Sequence, residues 1–363
     1  MRTLATSISP SAGEGSALHV SRSSFIVHRS AFRAAVLCCG LALMAAGCRE
    51  SDEKQVVTLY CSVDEPFARE VVAAFEKQTG ITVRLRTDTE AGKTTGLVRR
   101  IEAERARPQA DVFWSSELFN TIQMARDGLL AEYRPPAAGI PDRYKDPGGR
   151  WTAFGLRARV LAYNTERVKE EELPATWRAM AEARWKGRLG VADPLFGTTR
   201  GHFAAFNALW GEEAYLAFLQ ALDKTLDGCL LDGNATAARR VGSGSLLICA
   251  TDTDDVYARQ GRGEPIDLVY PDMGDGGTLL IPNSVAMIAG APHPEAAGKL
   301  IDFLTSAQAE RMLALSGSRN IPVRRSLREE LRMELPPETK LPFDRIAEAM
   351  DRAIELAGKH LRK

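Results

Sequence analysis

Residues 56–86 read VVTLYCSVDEPFAREVVAAFEKQTGITVRLR. The apolar run VVTLYCS at 56–62 has strand composition, and EPFAREVVAAFEKQTG follows with Pro66 in a first helical turn. Phe67, Val71, Val72 and Phe75 recur there at helical spacing, Gly80 stops the helix, and ITVRLR reads as a second strand. The alternation continues outward. TTGLVRRIEAERA (94–106) predicts a helix, ADVFW (110–114) a strand, and SELFNTIQMARDG (116–128) a helix ended by Gly128. This β-α-β-α-β order predicts an open, mostly parallel sheet with helices on both faces.

A Pro- and Gly-rich stretch, YRPPAAGIPDRYKDPGGRW (133–151), interrupts the rhythm and predicts a surface excursion ahead of a domain crossing. Beyond it, strands are expected at GLRARVLAYN (155–164), WKGRLGVADP (185–194), SLLICATD (245–252), PIDLVYPD (265–272) and GTLLIPNSVAMIAG (277–290). GTTRGHFAAFNALWG (197–211), opened by Thr198, EEAYLAFLQALDK, NATAARRV and HPEAAGKLIDFLTSAQAERMLA supply helices. In the tail, PFDRIAEAMDRAIELAGKHL, the residues Phe343, Ile346, Met350, Ile354 and Leu361 keep roughly helical spacing and predict a packed structural helix. No internal repeat, low-complexity tract or glycine-rich nucleotide loop is present.

At 363 residues and 45% hydrophobic content the chain can fill two domain cores. Lys plus Arg and Asp plus Glu each total 47, so no bulk field draws it to nucleic acid or an anionic surface, and any charge-based recognition is local. Arg29 and Arg33 precede AAVLCCGLALMAAGC (34–48), the length of a secretory apolar core and too short for a relaxed membrane span. Its end, MAAGC, resembles a bacterial lipobox in which Cys48 is lipidated and becomes the mature N-terminus. A short hydrophobic anchor is the alternative, and both export the chain. Residues 1–28 are long for a signal's first segment, which points to a translation start further along.

With Cys38 and Cys39 in the signal and Cys48 lipidated, Cys61, Cys229 and Cys249 remain. At most one disulfide can form, and the apolar neighbours of Cys249 predict an inert buried thiol. His19, His28, His202, His293 and His360 are scattered, so a zinc site has no support.

In open α/β sheets ligands sit beyond the carboxyl ends of strands. The predicted strand ends carry Asp64 and Glu65; Asp88, Thr89 and Glu90; Ser115, Ser116 and Glu117; Thr198 and Thr199; and TDTDD at 251–255. Asp64, Ser116, Thr198 and Asp254 could each cap a helix. Capping needs one short polar residue per helix, whereas TDTDD offers five. Close carboxylates raise one another's pKa unless a cation or donors compensate them, while hydroxyls at a helix start suit an anion. The two signals together indicate a metal ion with a companion anion, or a zwitterionic small molecule. No nucleophile–base pair supports enzymatic chemistry, and no catalytic residue or catalytic cofactor is expected.

The segments LYCSVDEPFAREVVAAFEKQTGITV, PQADVFWSSE, GLRARVLAYNTERV, WKGRLGVADP, GHFAAFNALWGEEAYLAFL and LIPNSVAMIAGAPHPEAAGKLIDFLTSAQAE resemble, in order and spacing over roughly 55–325, the periplasmic solute-binding proteins of ABC importers, in their ferric-iron-binding branch. The resemblance implies a two-lobe periplasmic-binding-protein fold of type II, with mixed, mostly parallel sheets and crossover hinge strands. Its implied layout is a signal peptide with lipobox at 1–48, a tether at 49–55, an N-terminal lobe at 55–152 plus about 276–325, a C-terminal lobe at 153–275 and a helical tail at 326–363. Where the iron proteins carry adjacent tyrosines, this chain has Asp254, Asp255 and Val256, with Tyr257 one step later; a histidine position matches Asp64, and a glutamate position falls at Ser116 or Glu117.

The resulting expectation is an exported, periplasmic, lipid-anchored and monomeric receptor that serves ABC permease and ATPase subunits and binds no nucleic acid. Its first expected ligand is Fe(III) or another metal ion on Asp64, Asp252, Asp254, Asp255 and Tyr257, with a synergistic anion at Thr198 and Thr199. Thr89, Ser115, Ser116, Asn234 and Thr253 are further candidates for ligand contact. An aminophosphonate or polyamine is the alternative ligand, and a secreted carboxylate-dependent hydrolase the alternative class.

Overall fold

The computed structural model describes residues 55–88, 94–228 and 230–362. The signal, the lipobox with Cys48, Thr89 and Cys229 lie outside the described residues. Among the described residues no helix is long and apolar enough to cross a membrane.

The opening β-α-β unit forms as its sequence predicts. β1 (Val56–Cys61) and β2 (Thr82–Thr87) run parallel on either side of α1 (Glu65–Thr79), which buries Ala68, Val71, Val72 and Phe75. Pro66 occupies the first turn, where a missing N–H costs nothing, and Gly80 ends the helix at φ 73°, a left-handed conformation a side chain resists. After α2 (Thr95–Ala103), β3 (Val112–Ser115) joins β1 in parallel and leads into α3 (Phe119–Arg126).

The proline-rich stretch is less superficial than predicted. β4 (Leu130–Ala131) precedes it, and Ile140, Tyr144 and Trp151 within it are buried in the core, because these large apolar side chains anchor an otherwise solvated backbone.

β5 (Thr152–Asn164) is buried along its whole length and connects the two halves of the molecule. Its start pairs antiparallel with β10 (Leu280–Ile288), and its end pairs with β8 (Ile248–Asp252) and β9 (Ile266–Val269). The main strand order is β2-β1-β3-β10-β5-β8-β6-β7, with β6 (Leu189–Ala192) and β7 (Leu230–Leu231) parallel to each other and β6 parallel to β8. The sheet is therefore mixed: parallel within each half, antiparallel at the two crossover strands.

Helices α4 (Gly197–Trp210), α5 (Glu212–Leu226), α6 (Asn234–Gly242) and α7 (Thr253–Gln260) cover the second half. α8 (Pro294–Leu304), α9 (Ala307–Leu315) and α10 (Arg325–Leu331) follow β10. The tail forms α11 (Phe343–Leu361), whose apolar stripe packs against α4, α3 and α5. Ile346, Met350, Ile354 and Leu361 join the core cluster that holds Phe203, Phe206 and Tyr215, and the Tyr215 hydroxyl donates to the Ala353 carbonyl at 3.0 Å. The predicted packing helix is thus present and touches helices of both halves.

Candidate functional site

The carboxyl ends of β1, β3, β6 and β8 converge on one cleft of about 420 Å³ including its open mouth. Asp64 and Ser116 line it from one side; Asp193, Thr198, Thr199, Asp232, Asn234, Asp252, Asp254 and Asp255 line it from the other. Arg157 lines it from β5.

Capping explains none of the four residues for which it was the simpler account. Asp64 holds the N-cap position of α1 without a side-chain cap bond, and α3 starts after Leu118, not at Ser116. Thr198 lies inside α4, and Asp254 inside α7. Leu118 holds the N-cap position of α3, and the first amides of the helix are satisfied by the Glu117 carboxylate, which accepts from Phe119 at 2.7 Å and Asn120 at 3.2 Å. Burial pushes the Glu117 carboxyl up even against these bonds, and the residue does not line the cleft.

The acidic strand end is organised by two arginines. Arg157 and Arg159 are two apart on β5, hence on one face of the strand, and Arg159 stands directly opposite Asp252 in the ladder. Arg159 donates from Nη1 to Asp252 Oδ1 at 2.8 Å and to Thr198 Oγ1 at 3.1 Å, and from Nε to His202 Nδ1 at 3.1 Å. Arg157 donates from Nη1 to Asp254 Oδ2 at 3.0 Å, lies 3.7 Å from Asp252 Oδ2, and donates from Nη2 to the Ser116 carbonyl. The Thr198 hydroxyl donates to Asp252 Oδ2 at 2.5 Å, Asn234 donates to Thr198 Oγ1 at 2.7 Å, and the Thr199 hydroxyl donates to Asn234 Oδ1 at 3.0 Å.

These contacts divide the carboxylates. Burial raises the Asp252 carboxyl, but Arg159 and then Arg157 outweigh it and hold it below the ordinary range. For Asp254 burial wins: Arg157 offsets it in part, while Asp252 and Asp64 push further, so its carboxyl is raised. Asp255 is half-buried and accepts from the Thr251 hydroxyl at 2.8 Å. One oxygen each from Asp252, Asp254 and Asp255 lies within 4.8 Å of the others, close enough to share a metal ion.

The structure therefore brings Asp64, Ser116, Thr198, Thr199, Asn234, Asp252, Asp254 and Asp255 to one place. Three expected contacts are elsewhere. Tyr257 sits outside the cleft lining on α7, with the Arg319 guanidinium 5.0 Å over its ring, because it lies one half-turn past Asp255 and faces away. Ser115 is buried and accepts from the Glu117 amide at 3.2 Å, and Thr253 accepts from the Ala158 amide at 3.3 Å. The arginines were missed. Their signal was in the sequence: LRARV sets two charges at strand period within an apolar run, and such charges are buried only when paired.

A mixed two-lobe α/β fold whose crossover strands flank a polar cleft defines a solute receptor of the periplasmic-binding type. The chain belongs to the family of bacterial extracellular solute-binding proteins, whose profile matches residues 108–346. It is 29% identical over 273 residues to iron uptake protein A1 of Synechocystis, covering 72% of this chain and 74% of that one. It is also 29% identical over 281 residues to a Salmonella paratyphi A periplasmic protein with a provisional 2-aminoethylphosphonate-binding name, covering 74% and 80%. Among solved structures, iron-bound HitA from Pseudomonas aeruginosa superposes with a TM-score of 0.74 at 26% identity, over 84% of this chain and 99% of that one. AfuA from Actinobacillus pleuropneumoniae, with fructose-6-phosphate bound, shares the fold at a TM-score of 0.74 and 22% identity, over 85% and 99%.

Proposed function

We propose that this protein is the solute receptor of an ABC importer and that its cleft takes a hard metal cation of the ferric type. The observation that carries this reading is charge: the six carboxylates of Asp64, Asp193, Asp232, Asp252, Asp254 and Asp255 line the cleft and outnumber the guanidiniums of Arg157, Arg159 and Arg362, which pair with Asp254, Asp252 and Asp193. A pocket with that lining attracts cations and rejects free anions. Asp64, Asp254 and Asp255 are the proposed donors, since Asp252 is committed to Arg159 and Thr198. Carboxylate oxygens are hard ligands, which suits Fe(III), and iron-binding names among the relatives support the choice.

The remaining features follow from the same reading. The lobes are residues 55–152 with 276–325, and 153–275, and the receptor is exported, held to the membrane through Cys48, monomeric, and delivers solute to a permease and ATPase without catalysing a reaction. A companion anion would lie at Thr198 and Thr199, where α4 begins.

That helix start also favours a second reading. A small zwitterion could place its anionic group at Thr198 and Thr199 and its ammonium among the carboxylates, and the relatives with 2-aminoethylphosphonate-binding names support it. Native mass spectrometry of protein purified without chelators, followed by titration with ferric nitrilotriacetate and with 2-aminoethylphosphonate, separates the two. Iron retention with micromolar or tighter affinity is expected; saturable binding of the phosphonate without metal would replace the first reading by the second.

A further inference from the structure

The charge of the cleft depends on a residue of the crossover strand. Arg157 comes from β5, the strand that both halves share, and its guanidinium reaches both: the Ser116 carbonyl after β3, and Asp254 at 3.0 Å with Asp252 at 3.7 Å beyond β8. The residue is 6% exposed. Its Nε is nevertheless buried with no hydrogen-bond partner among the described residues. A purely structural ion pair completes its bonds, because an unpaired buried donor forfeits its hydration and gains nothing in return. Arg157 therefore sits in the site without being fully satisfied by it.

We infer that Arg157 is a tethered counter-cation, which clamps the two sides of the cleft together and competes with a cationic solute for Asp254. The inference rests on the cation reading above. A solute cation that coordinates Asp254 shares a carboxylate whose Oδ2 Arg157 holds at 3.0 Å and whose Oδ1 accepts from the Asp255 amide at 3.2 Å, and two positive charges on one carboxylate repel each other. Solute entry then displaces the guanidinium from Asp254, and the same movement loosens its hold on Ser116. Ion binding and the spacing of the two sides are thereby coupled through one side chain. The arrangement also selects by charge: repulsion from Arg157 and attraction to the carboxylates both scale with the charge of the ion, and because several carboxylates outweigh one guanidinium the net gain available to displace Arg157 from Asp254 grows with that charge.

The opposite assignment makes Arg157 a receptor for an anionic group of the solute, with its idle Nε as the waiting donor. The two differ in the sign of one measurement. Ferric ion delivered as the nitrilotriacetate complex is titrated into the wild type, Arg157→Gln and Arg157→Lys, and each protein is measured by small-angle X-ray scattering before and after iron. If Arg157 competes, Arg157→Gln binds iron at least ~10-fold more tightly, a gain of about 1.4 kcal/mol. Its solute-free form has a larger radius of gyration than the wild type, and iron restores the smaller one. Arg157→Lys keeps the charge but loses the fork, and is expected to tighten binding by about threefold, so it carries the test should Arg157→Gln fail to fold. Equal or weaker iron binding in the variants overturns the competition, and weaker binding assigns Arg157 to an anionic part of the solute. Should the wild type take up no iron, the cation reading falls while the scattering still decides the clamp: identical radii for solute-free wild type and Arg157→Gln would overturn it.

Discussion

Two buried arginine–carboxylate networks stand on either side of β5, and they are built to different standards. Behind the crossover, Arg324 donates to Glu310 Oε2 at 2.7 Å, to the Thr305 carbonyl at 2.6 Å and to the Ala138 carbonyl at 2.8 Å. Glu310 Oε1 meanwhile accepts from the amides of Gly155 at 3.1 Å and Val323 at 2.8 Å. All of these groups are satisfied. At the cleft, Arg157 Nε, Arg159 Nη2 and His202 Nε2 are buried without partners among the described residues. A buried ion pair stabilises only when its geometry is complete, so the first network reads as architecture and the second as a site that has retained unused capacity.

The largest expected effect breaks the complete network. Glu310→Gln leaves the Arg324 guanidinium, 6% exposed, without its counter-charge, and should cost ~3–5 kcal/mol of stability in denaturant unfolding. The Gly155 amide at φ 56° loses a charged acceptor at the same time, within the segment that sets the register of Arg157. If stability holds while solute binding disappears, the division between architecture and site is misdrawn. Asp252→Asn should destabilise by a similar ~3–5 kcal/mol, since Arg159 is fully buried and Asp252 is its only carboxylate partner among the described residues.

A smaller effect with a different signature is expected at the cleft surface. Asp255→Asn alters a half-buried carboxylate whose contact with the Thr251 hydroxyl an amide oxygen can still accept, so unfolding free energy should change by less than ~0.5 kcal/mol. Iron affinity should fall by ~10-fold or more, about 1.4 kcal/mol, if Asp255 is a ligand. Calorimetric titration and thermal melts of the same variant check both halves of this statement. Unchanged affinity with lowered stability would make Asp255 a scaffold for Thr251, not a ligand.

The fold was legible where local signals agreed with global burial. The 56–86 unit carried a proline start, a glycine stop and an apolar stripe, and all three act as written. The site was legible as a set of strand ends but not as a circuit. Nothing in TDTDD reveals that Asp252 is spent on Arg159, because that pairing depends on the antiparallel register between β5 and β8, strands some ninety residues apart. The same absence of register information made Tyr257 look like a ligand: its distance from Asp255 along the chain says nothing about which helical face the core claims. Ile140, Tyr144 and Trp151 were read as surface for a related reason, since proline and glycine report turn chemistry and not burial.

The smallest prediction tests whether the incomplete network stays charged in a defined way. His202 is fully buried, meets Trp177 edge to face at 4.3 Å centroid distance, and accepts from Arg159 through Nδ1. Burial, reinforced by the Arg159 charge, holds its imidazole well below the usual histidine range. The unfolded chain takes up this proton near pH 6.5 and the native state does not, so the unfolded state binds more protons as pH falls and stability must fall with it. Stability is complete above the unfolded pKa and is lost on going below it; between pH 7.5 and pH 5.5 the loss from this one group is about 1.4 kcal/mol. His202→Gln removes the titration, so its unfolding free energy should decline less steeply than that of the wild type over the same interval, by that amount. Parallel slopes for the two proteins would mean that His202 takes up its proton in the folded state as well, which requires Arg159 Nε to have turned away from His202 Nδ1, against the 3.1 Å contact between them.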